Sequence, residues 1–219
     1  MTTPAVYSAE TIEAFRGITT ASVSDALQEL GVHGYMSSQI RLRTGSKLVG
    51  PAVTVREVPT AERVPPQHAL DVIDASAPGS VVVIDIGEET EVAVWGGLMT
   101  AGAVANGLAG AVLDGGMRDV EEIQRDFGFT VFARSTVTAT TVGRFKTVAA
   151  NEPVRCGGVT VYPGDLVVGD GDGVVAVPQA LVAQVLEGAT SIEEREREQT
   201  RLILESGSLA AGLAKYNRI

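Results

Sequence analysis

WGGLMTAGAVANGLAGAVLDGGMRD, residues 95–119, is the stretch on which the reading of this chain turns. After the Trp-Gly-Gly opening, the small residues predict a helix that stops at Gly107, because glycine accepts the left-handed conformation of a C-terminal cap. Ala109 to Leu113 then reads as a buried strand ending on Asp114. A Gly-Gly turn follows and presents Met117, Arg118 and Asp119. A helix start offers free backbone N–H groups suited to a carboxylate, and Asp119 is a hard oxygen donor with a guanidinium beside it. Together these outline a small-anion site. A second reading is open on spacing alone: Asp119 and Glu122 form a capping-box pattern before VEEIQRDF, with Arg118 an ordinary surface charge. Glycine density, which lets a ligand approach the backbone, and the apolar strand that aims the pair favour the site.

Working outward, Gly79 and SVVVIDI predict a strand covered on both faces, since its Val/Ile run is unbroken. A helix over 67–76 precedes it, and Gly87 to Glu91 is a polar loop. KLVGPAVTVRE, from Lys47 to Glu57, alternates like a strand bent at Gly50 and Pro51. Residues 9–16 form a short amphipathic helix, and Ser22 with Asp25 makes a capping box before ALQEL, stopped by Gly31. Beyond Asp119 come a helix to about Phe127 and the strand TVFA. This alternation indicates an α/β layer with parallel crossings. From Val154 to Val177 the pattern shifts to short antiparallel strands, with GDGDG read as a hairpin turn. Residues 178–206 predict a long helix. Its buried stripe is Leu181, Val182, Val185, Leu186, Ala189 and Ile192, and its charged run is EEREREQ, residues 193–199.

The 219 residues, 45% hydrophobic, suffice for a single domain over 1–219: N-terminal helices at about 9–31, a core at about 45–178, and a C-terminal helix and tail at about 178–219. A formal charge of −10 argues against a nucleic-acid surface. No basic and apolar leader opens MTTPAVYSAE, and no run is long enough to span a bilayer, so a soluble cytoplasmic protein is expected. The lone Cys156 excludes an intrachain disulfide and reads as a packed thiol. His33 and His68 form no metal-binding pattern, so any metal is expected to be Mg²⁺ or Mn²⁺ on oxygen ligands.

The run 95–119, followed by TVFAR (130–134) and CGGVTVYPGDLVVGDGDGVVAVP (156–178), resembles the RraA-like family, which contains the 4-hydroxy-4-methyl-2-oxoglutarate aldolases; the resemblance covers roughly residues 18–215. It implies an α/β fold, a layered β/β/α swivelling-type sandwich with flanking N-terminal helices and a long C-terminal helix, assembled as a homotrimer or a hexamer. It implies a small 2-oxo acid substrate cleaved or decarboxylated through an enolate, which needs a metal Lewis acid or a lysine Schiff base. None of Lys47, Lys146 and Lys215 ends an apolar strand in the glycine-rich region, which favours the metal. On that resemblance Asp119 matches the metal ligand, Arg118 stabilises the enolate oxygen, and Gly96, Gly97, Leu98 and Met99 bind substrate. Many relatives carry an acid where this chain has Gly97. A C-terminal glutamate of an adjacent subunit, Glu194, Glu196 or Glu198, with Glu198 taken as the candidate, serves as acid/base. Asp85 and Asp114 are further candidates to support the site, or else turn caps. The resemblance also includes non-catalytic inhibitors of ribonuclease E, which act by binding protein.

Overall fold

The computed structural model describes residues 7–216; the leader reading of MTTPAVYSAE falls largely outside them. The elements are α1 (Ala9–Arg16), α2 (Thr20–Glu29), β1 (Arg41–Thr44), β2 (Leu48–Pro59), α3 (Gln67–Ala75), β3 (Val81–Asp85), β4 (Ala93–Trp95), α4 (Gly97–Ala105) and β5 (Gly110–Met117). They continue with α5 (Val120–Glu122), which runs into a π-helical turn over Ile123–Phe127, then β6 (Thr130–Thr136), β7 (Phe145–Ala150), β8 (Val154–Cys156), β9 (Val159–Val161), β10 (Leu166–Asp170) and β11 (Gly173–Val177). The chain closes with α6 (Val182–Ser206) and α7 (Leu209–Tyr216).

One sheet carries the fold, in the order β1-β6-β5-β3-β2-β10-β11, with β4 added to β5 and β7 to β2. The run β2, β3, β5, β6 is parallel, as the alternation of helices and strands predicts. At the far end β11 returns toward the start of the sheet, with Tyr35 bridging Val175, so the sheet is nearly closed. Flanking N-terminal helices and the long C-terminal helix complete the expected mixed α/β architecture.

Alternate residues of the parallel strands serve two cores. Val53, Val55, Val82, Ile84, Ala111, Leu113, Val131 and Ala133 pack on one face with Ala69, Val72 and Ile73 of α3 and Ala103 of α4. Ala52, Val81, Val83, Val112 and Phe132 point into the nearly closed sheet, under the β8–β9 hairpin and Cys156, whose thiol is buried as expected. A third core joins α1, α2 and the stripe Val182, Val185, Ala189 and Ile192 of α6 to β10 and β11.

β2 changes partners along its length. Leu48–Pro51 pairs antiparallel with β10, Ala52–Arg56 pairs parallel with β3 on the other edge, and Val55–Pro59 takes β7. No break in register marks Gly50 and Pro51, where a bend is expected: β2 runs through them, and its register shift lies between Arg56 and Glu57; glycine is needed at 50 because a Cβ there would stand 2.1 Å from the Gly79 carbonyl oxygen.

Several local expectations need correction. Helix α2 starts before Ser22, because Thr19 is its N-cap and accepts from the Ser22 N–H at 3.2 Å. The side chain of Glu193 on α6 then accepts from the Thr19 N–H at 2.9 Å, tying α6 to that cap. Gly115 and Gly116 are not a turn: β5 continues through them to Met117, with a bulge between Leu113 and Gly116. The short strand β4 and the terminal helix α7 were not anticipated. GDGDG does form the β10–β11 hairpin turn, and its Asp170 accepts from the Thr20 N–H (2.8 Å) at the start of α2. Among the described residues no helix is long and apolar enough to cross a membrane.

Glu57 is the costly residue of this fold. It is 4% exposed, sits opposite Thr147 of β7, and neither carboxylate oxygen has a hydrogen-bond partner among the described residues. Burial pushes its carboxyl from 4.5 up to about 7. The folded state therefore keeps a proton that the unfolded chain gives up. Stability is whole below about pH 4.5, falls as pH rises toward 7, and above that carries a penalty on the order of 3 kcal/mol. Glu57→Gln is expected to flatten this slope, so denaturant melts at pH 5 and pH 8 should differ far less in the variant. An unchanged slope would place the proton elsewhere.

Candidate active site

The site forms where β4 lies alongside the end of β5. Ala93 pairs with Gly116 and Trp95 with Met117, and the Arg118 N–H donates to the Trp95 carbonyl at 3.0 Å. Trp95 is the anchor: 1% exposed, stacked on Phe129 with ring centroids 6.0 Å apart, its Nε1–H donating to Thr100 Oγ1 at 2.8 Å. Thr100 in turn donates to the Gly96 carbonyl at 3.1 Å, so the first turn of α4 is fixed from beneath. The N–H groups of Leu98 and Met99, in that turn, have no preceding helical carbonyl to bond.

Asp119 does not cap its own helix. Its backbone is left-handed (φ 60, ψ 32) where an N-cap is extended, and its side chain makes no capping bond to α5. Instead Oδ2 accepts from the Gly97 N–H at 2.9 Å, across 22 positions of sequence, so the carboxylate sits at the positive end of α4. Arg118 Nε lies 3.5 Å from the same oxygen. Oδ1 has no hydrogen bond among the described residues. Gly96 leaves the room this needs, since a Cβ there would meet Asp119 Oδ2 at 2.7 Å. A left-handed non-glycine residue costs about 1–3 kcal/mol, and it is held here by these contacts.

Arg118 and Asp119 border two recesses. The larger, about 290 Å³, is walled by Pro66 and Leu70 near α3, by Trp95 to Met99, and by Thr140 to Val142. The other, about 240 Å³, lies toward Thr136 to Thr138. These volumes suit a ligand of metabolite size. Leu98 stands at the rim, 91% exposed.

The structure thus brings together Gly96, Gly97, Leu98, Met99, Arg118 and Asp119. It does not bring the α6 glutamates to them within the chain: Glu194, Glu196 and Glu198 lie along α6, and Glu198 accepts a hydrogen bond from the Tyr216 hydroxyl of α7. Asp85 and Asp114 serve the fold. Asp85 accepts from the N–H groups of Gly87 (3.0 Å) and Arg155 (3.1 Å). Asp114 pairs with buried Arg134 (Nε to Oδ1 2.6 Å) and accepts from the Gly157 N–H. Two features escaped the sequence reading: the Thr140–Val142 wall, and Glu122, whose side chain lies against Gly97 rather than serving α5 as a capping partner.

The donor set fits a hard, largely hydrated divalent cation. One carboxylate with a free oxygen suits Mg²⁺ or Mn²⁺, which retain several waters; among the described residues no group of three or more His, Cys, Asp and Glu side chains suits a dehydrated metal.

Comparison with known proteins shows the family. The family description RraA-like (Aldolase/RraA) matches residues 20–176, and the chain belongs to that family. It is 34% identical over 192 residues to protein DlpA of Legionella pneumophila, covering 86% of this chain but only 31% of that longer protein. It is 33% identical over 199 residues to a Halalkalibacterium halodurans protein provisionally named 4-hydroxy-4-methyl-2-oxoglutarate aldolase, covering 89% of each. Among solved structures, Streptomyces coelicolor RraAS2, described as an unusual member of the RNase ES inhibitor RraA protein family, superposes with a TM-score of 0.82 at 27% identity, over 90% of this chain and 99% of that one.

Proposed function

We propose that the chain is a divalent-metal-dependent lyase of the pyruvate-aldolase type. It cleaves 4-hydroxy-4-methyl-2-oxoglutarate-like 2-oxo acids by retro-aldol reaction, decarboxylates oxaloacetate, or does both. The observation that carries this reading is the convergence of the Arg118 guanidinium, the Asp119 carboxylate and the first turn of α4 on one cleft of metabolite size.

Asp119 would hold the metal through its free oxygen. The metal, when bound, supplies the Lewis acid that polarises the 2-oxo group. The N–H groups of Leu98 and Met99 donate to no helical carbonyl and are placed to donate to the substrate carboxylate. Arg118 directs its N–H donors at the oxygen that gains charge as the enolate forms, where such a donor acts most strongly in the transition state. By family resemblance, the acid/base group is one of Glu194, Glu196 and Glu198 on the α6 of a second copy, within a homotrimer or hexamer, with Glu198 the candidate. The two lysine side chains described are committed elsewhere, Lys47 to Asp170 and Ile18 and Lys146 to Glu62, which speaks against a Schiff base.

The likeness to RraAS2 supports a second reading, a non-catalytic protein-binding regulator of the ribonuclease E type. That role needs no cation and no paired Arg118 and Asp119. The experiment is pyruvate release from 4-hydroxy-4-methyl-2-oxoglutarate and from oxaloacetate. Turnover is expected with Mg²⁺ or Mn²⁺, to vanish with EDTA and to return on re-addition. Full turnover in chelator, or borohydride trapping of substrate on a lysine, would transfer the chain to the Schiff-base class; no turnover with either substrate would favour the regulator.

A further inference from the structure

A second concentration of cationic side chains lies at β1, the strand that ends the sheet. Gln39, Arg41, Arg43, Thr90 and Arg134 line a recess of about 300 Å³. It shares no lining residue with the two recesses bordered by Arg118 and Asp119. Arg134 belongs to its inner wall: the side chain is 2% exposed, and its charge is answered within the chain. Nε donates to Asp114 at 2.6 Å, Nη1 donates to Gln39 Oε1, and Nη2 lies 3.3 Å from the exposed Glu88 carboxylate.

Arg41 and Arg43 are not answered in this way. Arg41 Nε donates to the Ser38 carbonyl at 3.0 Å, and Arg43 donates from Nε to the Ala133 carbonyl at 3.0 Å and from Nη2 to the Arg134 carbonyl. Carbonyl oxygens orient a guanidinium without neutralising it. Neither arginine has a carboxylate within ion-pair distance among the described residues, although the chain carries 27 Asp and Glu against 17 Lys and Arg. Burial and the neighbouring Arg41 charge both pull the Arg43 guanidinium below its usual value. Charge that only protects a terminal strand needs exposure and nothing more. Arg43 is instead partly buried and fixed at two atoms, and its Nη1, like both Nη groups of Arg41, has no hydrogen bond among the described residues.

We propose that this recess is a second binding site, for a multivalent oxyanion of the phosphate ester or polycarboxylate type, with Arg41 and Arg43 as its donors. Forked planar donors match the paired oxygens of such groups, and bringing an anion between two like charges relieves their repulsion. The volume admits a ligand of metabolite size. The proposal stands independently of the lyase reading.

Inorganic phosphate and citrate are the probes, added to the full chain in EDTA and compared with chloride at matched ionic strength. The readouts are the rise in melting temperature with anion concentration and, for phosphate, the phosphorus NMR line width. Both probes are expected to bind where chloride does not, and the larger response names the ligand's source. Arg41→Gln is expected to weaken binding about tenfold or more, the scale of one charge-assisted hydrogen bond. Its melting temperature without anion should hold, because Arg41 is exposed and bonds only the Ser38 carbonyl. Arg118→Gln, the control for the other cleft, should leave the response unchanged. A response lost in Arg118→Gln and kept in Arg41→Gln puts the anion in that cleft, and the proposal falls. It falls equally if chloride matches both probes, or if Arg41→Gln alters the sedimentation of the protein and not its anion affinity, which makes the recess a contact between copies.

Discussion

Arg118→Lys is expected to lower kcat for pyruvate release by roughly a hundredfold to a thousandfold, equivalent to about 3 to 4 kcal/mol of transition-state stabilisation. The charge survives the change but the directed donors do not, because an ammonium on a flexible stem cannot reproduce the guanidinium's planar fork. The backbone of residue 118 is pinned by its N–H to the Trp95 carbonyl, and its side chain is 45% exposed, so little packing is lost and the melting temperature should hold. KM should change less than kcat if the interaction strengthens only as the enolate forms. A kcat within threefold of wild type would remove Arg118 from the chemistry.

Asp119→Asn is the second large effect. Asparagine tolerates the left-handed backbone at φ 60, and its amide oxygen can still accept the Gly97 N–H, so the link to α4 survives while the negative charge is lost. Mn²⁺ affinity should fall by at least the roughly 10- to 100-fold seen when a metal loses an outer partner, and excess Mn²⁺ should restore part of the turnover. If affinity and turnover stay at wild-type level, Asp119 is a distant cap for α4 and nothing more. The lyase reading then loses its main support.

What could be read from the sequence depended on how far each signal reaches. The parallel strands were legible because both faces are covered, which leaves unbroken runs such as Val81 to Ile84. Gly115 and Gly116 misled for the opposite reason. Glycine ordinarily marks a turn, but here it makes room for side chains that arrive from elsewhere: a Cβ on Gly115 would meet Ile86 Cγ2 at 2.4 Å, and one on Gly116 would meet Val137 Cγ1 at 2.6 Å. The spacing of Asp119 and Glu122 satisfied a local capping rule, yet the Asp119 side chain accepts from a helix that starts 22 residues earlier and the Glu122 side chain lies against the same Gly97. No local pattern contains that information. The site's glycines, arginine and aspartate were found because they are adjacent in sequence; the Thr140–Val142 wall comes from a loop after β6 and had no motif to announce it.

The shared strand β2 has a consequence for how the chain reaches this state. Its N-terminal end is bonded to β10, more than a hundred residues later, while its middle is bonded to β3, some thirty residues later. The parallel half that carries the site can form as soon as β2 to β6 have been made, but the edge that β2 offers to β10 stays open until residues 166–170 emerge. During synthesis the apolar segment Leu48–Val49 is therefore left without its final partner. Gly50 and Pro51 interrupt this segment directly after its apolar pair, and proline cannot donate to an invading strand. Gly50, which the finished fold needs for its close approach to Gly79, and Pro51 thus also protect the strand while it waits.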